Sequence, residues 1–409
     1  MATDSEPGER REGLADAAAA PPERRIPQVV RQFFETEASG GLVLLAAALV
    51  ALVWANSPWR PSYTALWRTD LAIGLGRFAL AADLKHWVND GLMTLFFFVV
   101  GLEIKRELVN GDLRDRRAAA LPVIAAAGGM AVPAALFLLF TVGHGGAEGW
   151  AIPMATDIAF AIGVVVLLGP RVPASLKLFL LTLAIVDDIG AIVVIAVFYA
   201  TDVQPLFLAV AVMLLAGMVA LRRAGVAWLA PYVALGIGVW MATRASGVHA
   251  TIAGVVLGLL APTRPLGERL EQQLHPWTSF LVVPLFALAN AGVAISVDSL
   301  DAPGTFDVAA GVMLGLVVGK IVGITGASWL AVRSGLGRLP EGSTWLMLGG
   351  VAAIAGIGFT VSLFVAELAY DSGPLRDAAK IGVLGASLVA AILGALILRR
   401  ACRRSGMGC

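Results

Sequence analysis

Residues 178–200 read LFLLTLAIVDDIGAIVVIAVFYA, an apolar stretch long enough to cross a bilayer, with two adjacent aspartates near its centre. A charge at the centre of a membrane helix costs roughly 2.5–3.5 kcal/mol on insertion scales, so such a residue usually serves a function. Neither Asp187 nor Asp188 has a basic partner within the stretch. The pair therefore predicts a cation site inside the membrane, unless a helix end is misread as a helix middle.

The composition of the whole chain is that of a polytopic membrane protein. Of its 409 residues 58% are hydrophobic and only 14% are charged, whereas soluble domains carry about 25% charged residues. The mean hydropathy is +0.83. The net charge of +1 does not bear on nucleic-acid binding, but the lack of a basic block with interleaved aromatics excludes a nucleic-acid-binding protein.

The apolar segments predict an all-α protein with twelve transmembrane helices. They lie at 38–57, 84–104, 118–141, 150–169, 175–200, 204–222, 226–243, 247–262, 276–296, 308–332, 343–368 and 378–398. We therefore divide the chain into a polar N-terminal tail (1–37), a transmembrane domain (38–398) and a basic C-terminal tail (399–409). The N-terminal tail has no apolar core, so it is not a signal peptide, and we expect it to be disordered or to lie on the surface. Cys402 and Cys409 are expected to be free thiols.

Basic residues predict which side each loop faces. Loops after even-numbered segments hold most of the Lys and Arg between segments, among them Lys105, Arg106, Arg114, Arg116, Arg117, Arg171, Lys177, Arg222, Arg223, Arg333 and Arg338. The positive-inside rule then places these loops and both termini in the cytoplasm. The longer first outer loop contains LAIGLGRFALA (71–81), which predicts a surface β-hairpin. An isolated hairpin is marginally stable in water, so we expect it to pair with a second copy.

Two further charges lie at mid-membrane depth, Asp157 in WAIPMATDIAF (150–160) and Lys320 in LGLVVGK (314–320). Together with the aspartate pair, they would cost on the order of 10–14 kcal/mol as isolated charges, so they must face one another or water. Adjacent helical residues point about 100° apart, so one aspartate can face Lys320 while its neighbour faces the ion pathway. Asp157 as a helix cap and Lys320 as a structural counter-ion remain the alternative interpretations.

Two of the predicted segments contain residues that interrupt helices. The fourth has Pro153 followed by Thr156 and Asp157, and the eleventh has Gly356 and Gly358. Interrupted helices in both halves of a membrane protein are typical of a transporter site near the midplane. Two other classes stay open. An intramembrane aspartyl protease needs carboxylates from two helices, and a Na⁺-coupled carrier of organic anions needs a substrate pocket.

Eight sequence segments resemble those of NhaA-type Na⁺/H⁺ antiporters of bacterial inner membranes. They are GLEIKREL (101–108), WAIPMATDIAFAIG (150–163), LAIVDDIGAIVVIAVFY (183–199), SGVHATIAG (246–254), LHPWTSFLVVPLFALANAGV (274–293), LGLVVGK (314–320), LPEG (339–342) and GIGFTVSLF (356–364). The resemblance implies inverted repeats, of which this family is a standard example, and fourth and eleventh helices that are discontinuous and cross at mid-membrane. It also implies a secondary active antiporter of Na⁺ (or Li⁺) against H⁺, which is electrogenic and pH-regulated, rather than an enzyme.

The resemblance also implies roles for individual residues. Asp187 and Asp188 correspond to the pair that binds Na⁺ and carries protons, and Thr156, Asp157 and Lys320 to the polar residues around it. The implied pH-sensing residues are Glu103, Arg106, Glu107, Glu271, His275 and His249. A plain ion pair on a helix surface is the alternative for the first three of these, which are spaced i, i+3, i+4. No cofactor is implied, and the expected partners are the transported ions, the lipid bilayer and a second copy bound through the hairpin.

The proposed sensor departs from the family pattern at two positions. Glu268 and Gln272 stand where other members can carry Lys and His. The charge of this region therefore differs, and the pH of activation does not follow from the resemblance. His86 and His144 are expected to be solvated residues near the outer surface.

Overall fold

Helices make up almost all of the fold, as the apolar segments predict. The computed structural model describes residues 28–75, 78–226, 228–262, 266–295, 302–371 and 373–404. The elements are α1 (Gln28–Ala55), α2 (Arg60–Trp67), β1 (Asp70–Leu75), β2 (Phe78–Asp83), α3 (Leu84–His86), α4 (Met93–Asn110), α5 (Arg116–Thr141), α6 (Ile158–Leu167), α7 (Ala174–Phe198), α8 (Pro205–Arg223), α9 (Leu229–Ala245), α10 (Thr251–Leu260), α11 (Leu266–Trp277), α12 (Val283–Asn290), α13 (Thr305–Leu314), α14 (Lys320–Arg333), α15 (Trp345–Ile354), α16 (Phe359–Ala369) and α17 (Pro374–Arg404). Short π-helical segments join α3 to α4, α11 to α12 and α13 to α14.

Six helical stretches of described residues are long and apolar enough to cross a membrane: Arg117–Thr141, Ala147–Leu167, Ala174–Phe198, Pro205–Arg223, Thr305–Arg333 and Pro374–Arg404. The second and the fifth each combine more than one helical element, and the number rises to at most eight if each of two bent pairs is one span. The bent pairs are Ser39–Ala55 with Arg60–Trp67, at 117°, and Trp345–Ile354 with Phe359–Ala369, at 48°. Some predicted segments correspond to shorter helices, such as α10 for the segment at 247–262. The chain is therefore a multi-pass membrane protein, and the number of twelve spans stays a prediction.

Small residues let neighbouring helices approach closely. A Cβ atom added to Gly128 on α5 would lie 2.4 Å from the carbonyl oxygen of Gly323 on α14. A Cβ atom added to Gly258 on α10 would lie 2.4 Å from the carbonyl oxygen of Phe98 on α4. Without a hydrophobic driving force in lipid, this backbone contact is a main source of helix association. Large apolar side chains such as Leu139 and Leu206 instead face outward, more than 70% exposed.

The chain leaves regular α-helical geometry near both predicted interruptions. A 3₁₀ segment (Ala147–Met154) precedes Ala155, which is extended, and α6 begins after Asp157. On the other side, α15 ends at Ile354 and α16 begins at Phe359. Gly356 lies in this second break, where a Cβ atom would come within 2.2 Å of the carbonyl oxygen of Leu316. Only glycine fits there without a backbone shift.

The loop between the first two predicted segments folds as the predicted hairpin. β1 and β2 pair antiparallel, with Asp70 opposite Asp83 and Leu75 opposite Phe78. Residues 76 and 77, at the tip of the predicted hairpin, lie outside the described residues. Asp83 then caps α3, because its side chain accepts a hydrogen bond from the backbone N–H of His86.

Both predicted tail boundaries differ from the helix ends. α1 begins at Gln28, earlier than the predicted start at 38, because no proline or glycine interrupts residues 28–39. α17 continues to Arg404, past the predicted end at 398, because residues 399–404 also contain no helix breaker. Residues 1–27 of the predicted N-terminal tail and residues 405–409, including Cys409, lie outside the described residues.

Candidate functional site

Asp187 and Lys320 form a fully buried ion pair between α7 and α14. Nζ of Lys320 lies 2.6 Å from Oδ2 of Asp187, and both side chains are 0% exposed. The hydroxyl of Thr156 joins them, because it accepts from Lys320 at 3.0 Å and lies within donating distance, 2.7 Å, of the same Asp187 oxygen. Within the described part of the chain, Oδ1 of Asp187 is buried with no hydrogen-bond partner. One oxygen of this carboxylate is therefore saturated while the other is left free.

Asp157 ties the two interrupted regions together. As the N-cap of α6, its Oδ1 accepts from the backbone N–H of Phe160 at 3.1 Å. Its Oδ2 accepts from the backbone N–H of Thr360 at 3.0 Å and from the Thr360 hydroxyl at 2.6 Å. The carboxylate thus lies between the N-termini of α6 and α16, where the partial positive charge of helix ends favours an anion. Asp157 thus acts as a helix cap, the alternative interpretation of this residue, and its contacts extend to a second helix.

Asp188 lines a cavity that neither Asp187 nor Lys320 lines. It is 6% exposed, and Asp157, Thr156 and Thr360 line the same cavity, here called the inner cavity. Among the described residues its carboxylate has no hydrogen-bond or ion-pair partner. One aspartate thus contacts Lys320 and its neighbour faces a cavity, and that this cavity is an ion pathway stays a prediction. The site can accordingly offer a bare carboxylate to a cation.

Comparison with known proteins decides the family. A family profile described as Na⁺/H⁺ antiporter 1 matches residues 31–398. A Na⁺/H⁺ antiporter NhaA of Bordetella parapertussis is 48% identical, over 92% of this chain and 97% of the relative. One of Rhodospirillum rubrum is 47% identical, over 91% and 97%, and Na⁺/H⁺ antiporter NhaA 3 of Frankia alni is 46% identical, over 92% and 90%.

The chain belongs to the NhaA family of Na⁺/H⁺ antiporters. The resemblance found in the sequence motifs is therefore confirmed, and the relatives carry names of transporters rather than of enzymes. Na⁺ and H⁺ are the ions that such an antiporter exchanges.

In this antiporter, five of the six predicted pH-sensing residues lie together at one end of the inner cavity. His275 and Glu103 line the cavity itself. Arg106 forms a close ion pair with Glu271 on α11 and lies 3.8 Å from Glu107. The pairing with α11 shows that Arg106 is not limited to an ion pair along its own helix surface.

Glu37 completes this group, and sequence analysis missed it. Oε1 of Glu37 lies 2.8 Å from Nε2 of His275 and accepts from the hydroxyl of Ser279 at 3.2 Å. Glu103 approaches the same imidazole nitrogen at 3.6 Å. The available signal is an acidic residue directly before the first apolar segment, a position that the predicted boundaries assign to the tail.

The charge of His275 depends on this acidic surrounding. Burial lowers the pKa of His275, but the hydrogen bond and charge of Glu37, followed by the charges of Glu103 and Glu271, raise it to about 9 overall. His275 is therefore protonated at neutral pH and balances part of the surplus negative charge at this end of the cavity.

His249 lies apart from the other predicted sensor residues. Its Nε2 is 3.6 Å from Asp90, its Nδ1 lies 2.8 Å from the hydroxyl of Thr251, and its ring contacts Phe364. The structure thus does not bring His249 to the Glu103–His275 group. Of the other two histidines, His86 pairs with Asp83, and His144 follows α5 on an exposed turn.

A permanently bound metal ion would need a cluster of ligating side chains, unlike a transported ion. In the described ranges, no group of three or more His, Cys, Asp or Glu side chains has the spacing to hold a metal ion. Na⁺, predicted to bind at Asp187 and Asp188, is cargo, and its site needs weaker coordination so that the ion can leave.

Proposed function

We propose that this antiporter exports cytoplasmic Na⁺ (or Li⁺) in exchange for external H⁺, and that Asp188 and Asp187 bind both ions. One observation carries the proposal: Asp188 lines the inner cavity without a partner in the described part of the chain, while Asp187 is held by Lys320. The bare carboxylate of Asp188 and the unpaired Oδ1 of Asp187 supply the oxygen ligands. The hydroxyl of Thr156, which lies 2.7 Å from Oδ2 of Asp187 and lines the same cavity as Asp188, is a neutral oxygen ligand.

Charge balance makes the two ions compete. Asp157, Asp187 and Asp188 outnumber Lys320, so the empty site carries surplus negative charge in a region of low dielectric constant. A proton or a Na⁺ ion relieves that surplus, and either one removes the reason to bind the other. Binding is then mutually exclusive, which couples export of one ion to import of the other.

Alternating access follows from the two interruptions. We propose that the interrupted fourth and eleventh of twelve spans, related by inverted repeats, cross at mid-membrane. The shared contact of Asp157 with both α6 and α16 supports a joint movement of these helices. A site neutralised by either ion can change sides at a lower cost than a charged one, because buried charge is costly in lipid.

Exchange of more than one H⁺ for each Na⁺ would make the cycle electrogenic. The membrane potential then adds about 2.3 kcal/mol per net charge for each 100 mV. The excess of Lys and Arg in alternate loops supports a bacterial inner-membrane location with both termini in the cytoplasm. In that orientation the inner cavity opens toward the cytoplasm.

Regulation by pH belongs to the group formed by Glu37, Glu103, Arg106, Glu271 and His275. These residues join α1, α4 and α11 through ion pairs, so a change in protonation alters the contacts between three helices. For assembly, we propose a homodimer through the β1–β2 hairpin, because a two-stranded sheet gains stability by pairing.

Reconstituted vesicles test the proposal. An imposed pH gradient should collapse on addition of Na⁺ or Li⁺ but not K⁺, and an applied membrane potential should change the rate if exchange is electrogenic. Asp202→Asn is a matched control, because Asp202 is an exposed acid whose left-handed backbone also suits asparagine. A response that required an added organic anion would favour an anion carrier, and the absence of any response to Na⁺ would contradict the proposal.

A further inference from the structure

Glu367 is the common partner of three cationic side chains, on the side of the molecule away from the inner cavity. Its carboxylate lies 2.9 Å from Nζ of Lys85 and 3.4 Å from the guanidinium of Arg376, and it makes a close ion pair with Lys380. The Glu367 side chain is only 8% exposed. We call these four residues the outer cluster.

The outer cluster connects three elements. Glu367 lies near the end of α16, Arg376 and Lys380 lie on α17, and Lys85 lies on α3 directly after the hairpin. α16 is the second half of the bent helix pair, and its first turn holds Thr360 against Asp157. The outer cluster therefore holds one end of α16, and the other end of the same helix contacts the ion site.

One face of α16 runs from the ion site to the outer cluster. Thr360, Phe364 and Glu367 are spaced i, i+4, i+7, which places them on the same side of a helix over roughly 10 Å. Thr360 lines the inner cavity, while Glu367 lines a second cavity, the outer cavity, with Lys85, Asp90 and Lys380.

Phe364 lies between the two cavities. It is fully buried, and its ring packs against Phe97 at 5.3 Å, Phe286 at 6.1 Å and the imidazole of His249 at 5.2 Å between ring centroids. Phe364 borders the outer cavity but is not part of the inner-cavity lining. This layer of packed rings separates the lining of the inner cavity from the lining of the outer cavity.

We propose that the outer cluster is a clamp that holds α16 in the closed position, and that Glu367 is a positioning residue for ion exchange. Release of Glu367 from its cations lets α16 move and opens the route past Phe364. The clamp rests on the proposed function, because it takes the aspartates as the ion site and the outer cavity as the external side.

The charges argue for a clamp rather than for a second cation site. Three cations surround one carboxylate, so the buried part of the cluster carries surplus positive charge that repels Na⁺. The other described carboxylates that line this cavity are Asp83, Asp90, Asp371 and Asp377. Asp83 pairs with His86, and Asp90 pairs with Arg244 and His249. Asp371 and Asp377 are instead at least partly exposed to solvent and therefore screened. Glu367 is the group whose loss releases all three cations at once.

Glu367→Gln tests the clamp, because it removes the charge and keeps the shape. The variant should retain Na⁺/H⁺ exchange, but a smaller fraction of molecules should have the ion site facing the cytoplasm. If the inward-facing fraction falls to about a fifth, the apparent KM for cytoplasmic Na⁺ rises about five-fold, since apparent affinity scales with the competent fraction. The KM for external Na⁺ should fall. Asp371→Asn, in the same cavity, is the matched control and should change neither value.

Thiol labelling gives a second readout. A Val361→Cys reporter lies in the inner-cavity lining, with Cys402 and Cys409 replaced by serine. A membrane-impermeant thiol reagent added outside should label it several-fold faster when Glu367→Gln is present. Glu367→Asp keeps the charge and should restore labelling and KM toward the starting values.

The clamp proposal is wrong if Glu367→Gln does not change which side of the membrane the ion site faces. In that outcome Glu367→Gln folds but keeps both KM values and the labelling rate, or it only lowers thermal stability and kcat. If Glu367→Gln does not fold, Lys380→Gln in the same two assays decides. Failure of the proposed function is distinct, because it appears as exchange retained in Asp188→Asn or as an Asp371→Cys side chain labelled from the cytoplasm.

Discussion

The ion site and the outer cluster both combine buried carboxylates with basic side chains, but in opposite proportions. The ion site has three buried carboxylates and one buried lysine, which pairs with Asp187 alone, whereas in the outer cluster three cations share one buried carboxylate. Both are largely shielded from water, and both attach to α16, one at each end. The ratio of charges therefore separates two roles. Surplus negative charge attracts a cation, and surplus positive charge around Glu367 holds helices together without binding Na⁺.

Coupling between the two regions runs through α16. Thr360 at its start donates two hydrogen bonds to Asp157, and Glu367 near its end holds three cations. A helix of this length transmits a displacement at one end to the other. The comparison thus predicts that changes at the ion site stop exchange, whereas changes at the outer cluster alter which side the site faces.

Asp188→Asn should have the largest effect. Removing one member of a buried charged interaction costs about 2–5 kcal/mol, so Na⁺-driven proton movement should fall by roughly 30-fold to several thousand-fold. Proteoliposome dequenching measures it, with Asp202→Asn as the control. An unchanged exchange rate in Asp188→Asn would contradict the prediction that changes at the ion site, unlike those at the outer cluster, stop exchange.

Lys320→Met should have the next largest effect, on stability. Loss of the single lysine leaves Asp187 buried without its cation, which typically costs about 3–5 kcal/mol of unfolding free energy. The pH profile of exchange should shift as well. Thermal unfolding in detergent measures the loss. The double variant with Asp187→Asn should recover most of it, and a double variant as unstable as the single one would count against the pairing.

His275→Gln should remove a pH-dependent part of the stability. The pKa of His275 in the folded protein, about 9, lies above its usual 6.5, so its contribution is complete below pH 6.5 and is lost as pH rises through 9. The largest contribution is about 3 kcal/mol. Melting temperatures measured from pH 6 to pH 10 should fall in the wild type and stay flatter in the variant. Parallel curves would contradict the pairing with Glu37.

Lys85→Met should destabilise the protein less than Lys320→Met. Lys85 is 23% exposed and is one of three cations on Glu367, so its loss should cost on the order of 1 kcal/mol. The two lysine variants, measured side by side in the same detergent, form a direct comparison. Equal losses would mean that the number of cations around a buried carboxylate does not decide its stability.

Deleting residues 71–79 should have the smallest effect on transport. Removal of most of the hairpin takes away the proposed dimer contact but leaves Lys85 and α3, so the monomer should exchange ions at the usual rate. Cross-linking or light scattering should show fewer dimers. Loss of all transport would assign the hairpin a mechanistic role and would connect it to the outer cluster.

Much of this organisation is predictable from the sequence. Long apolar segments and their interruptions at Pro153 and Gly356 indicate a polytopic transporter. The four mid-membrane charges are identifiable because charge in an apolar stretch is costly, whatever its partner. The hairpin is predicted from its position in an outer loop. The family follows from motifs around the same residues.

The sequence by itself determined that the four mid-membrane charges are buried, and the tertiary structure alone decided their partners. Burial follows from the apolar residues on either side, which are local in the chain. Pairing depends on contacts between distant segments, such as Lys320 with Asp187, Asp157 with Thr360, and His275 with Glu37. Packing of the helices also separated His249 from the sensor group and brought three cations to Glu367. Helix periodicity gives the direction of a side chain relative to its own helix, but only the packed arrangement fixes what lies opposite.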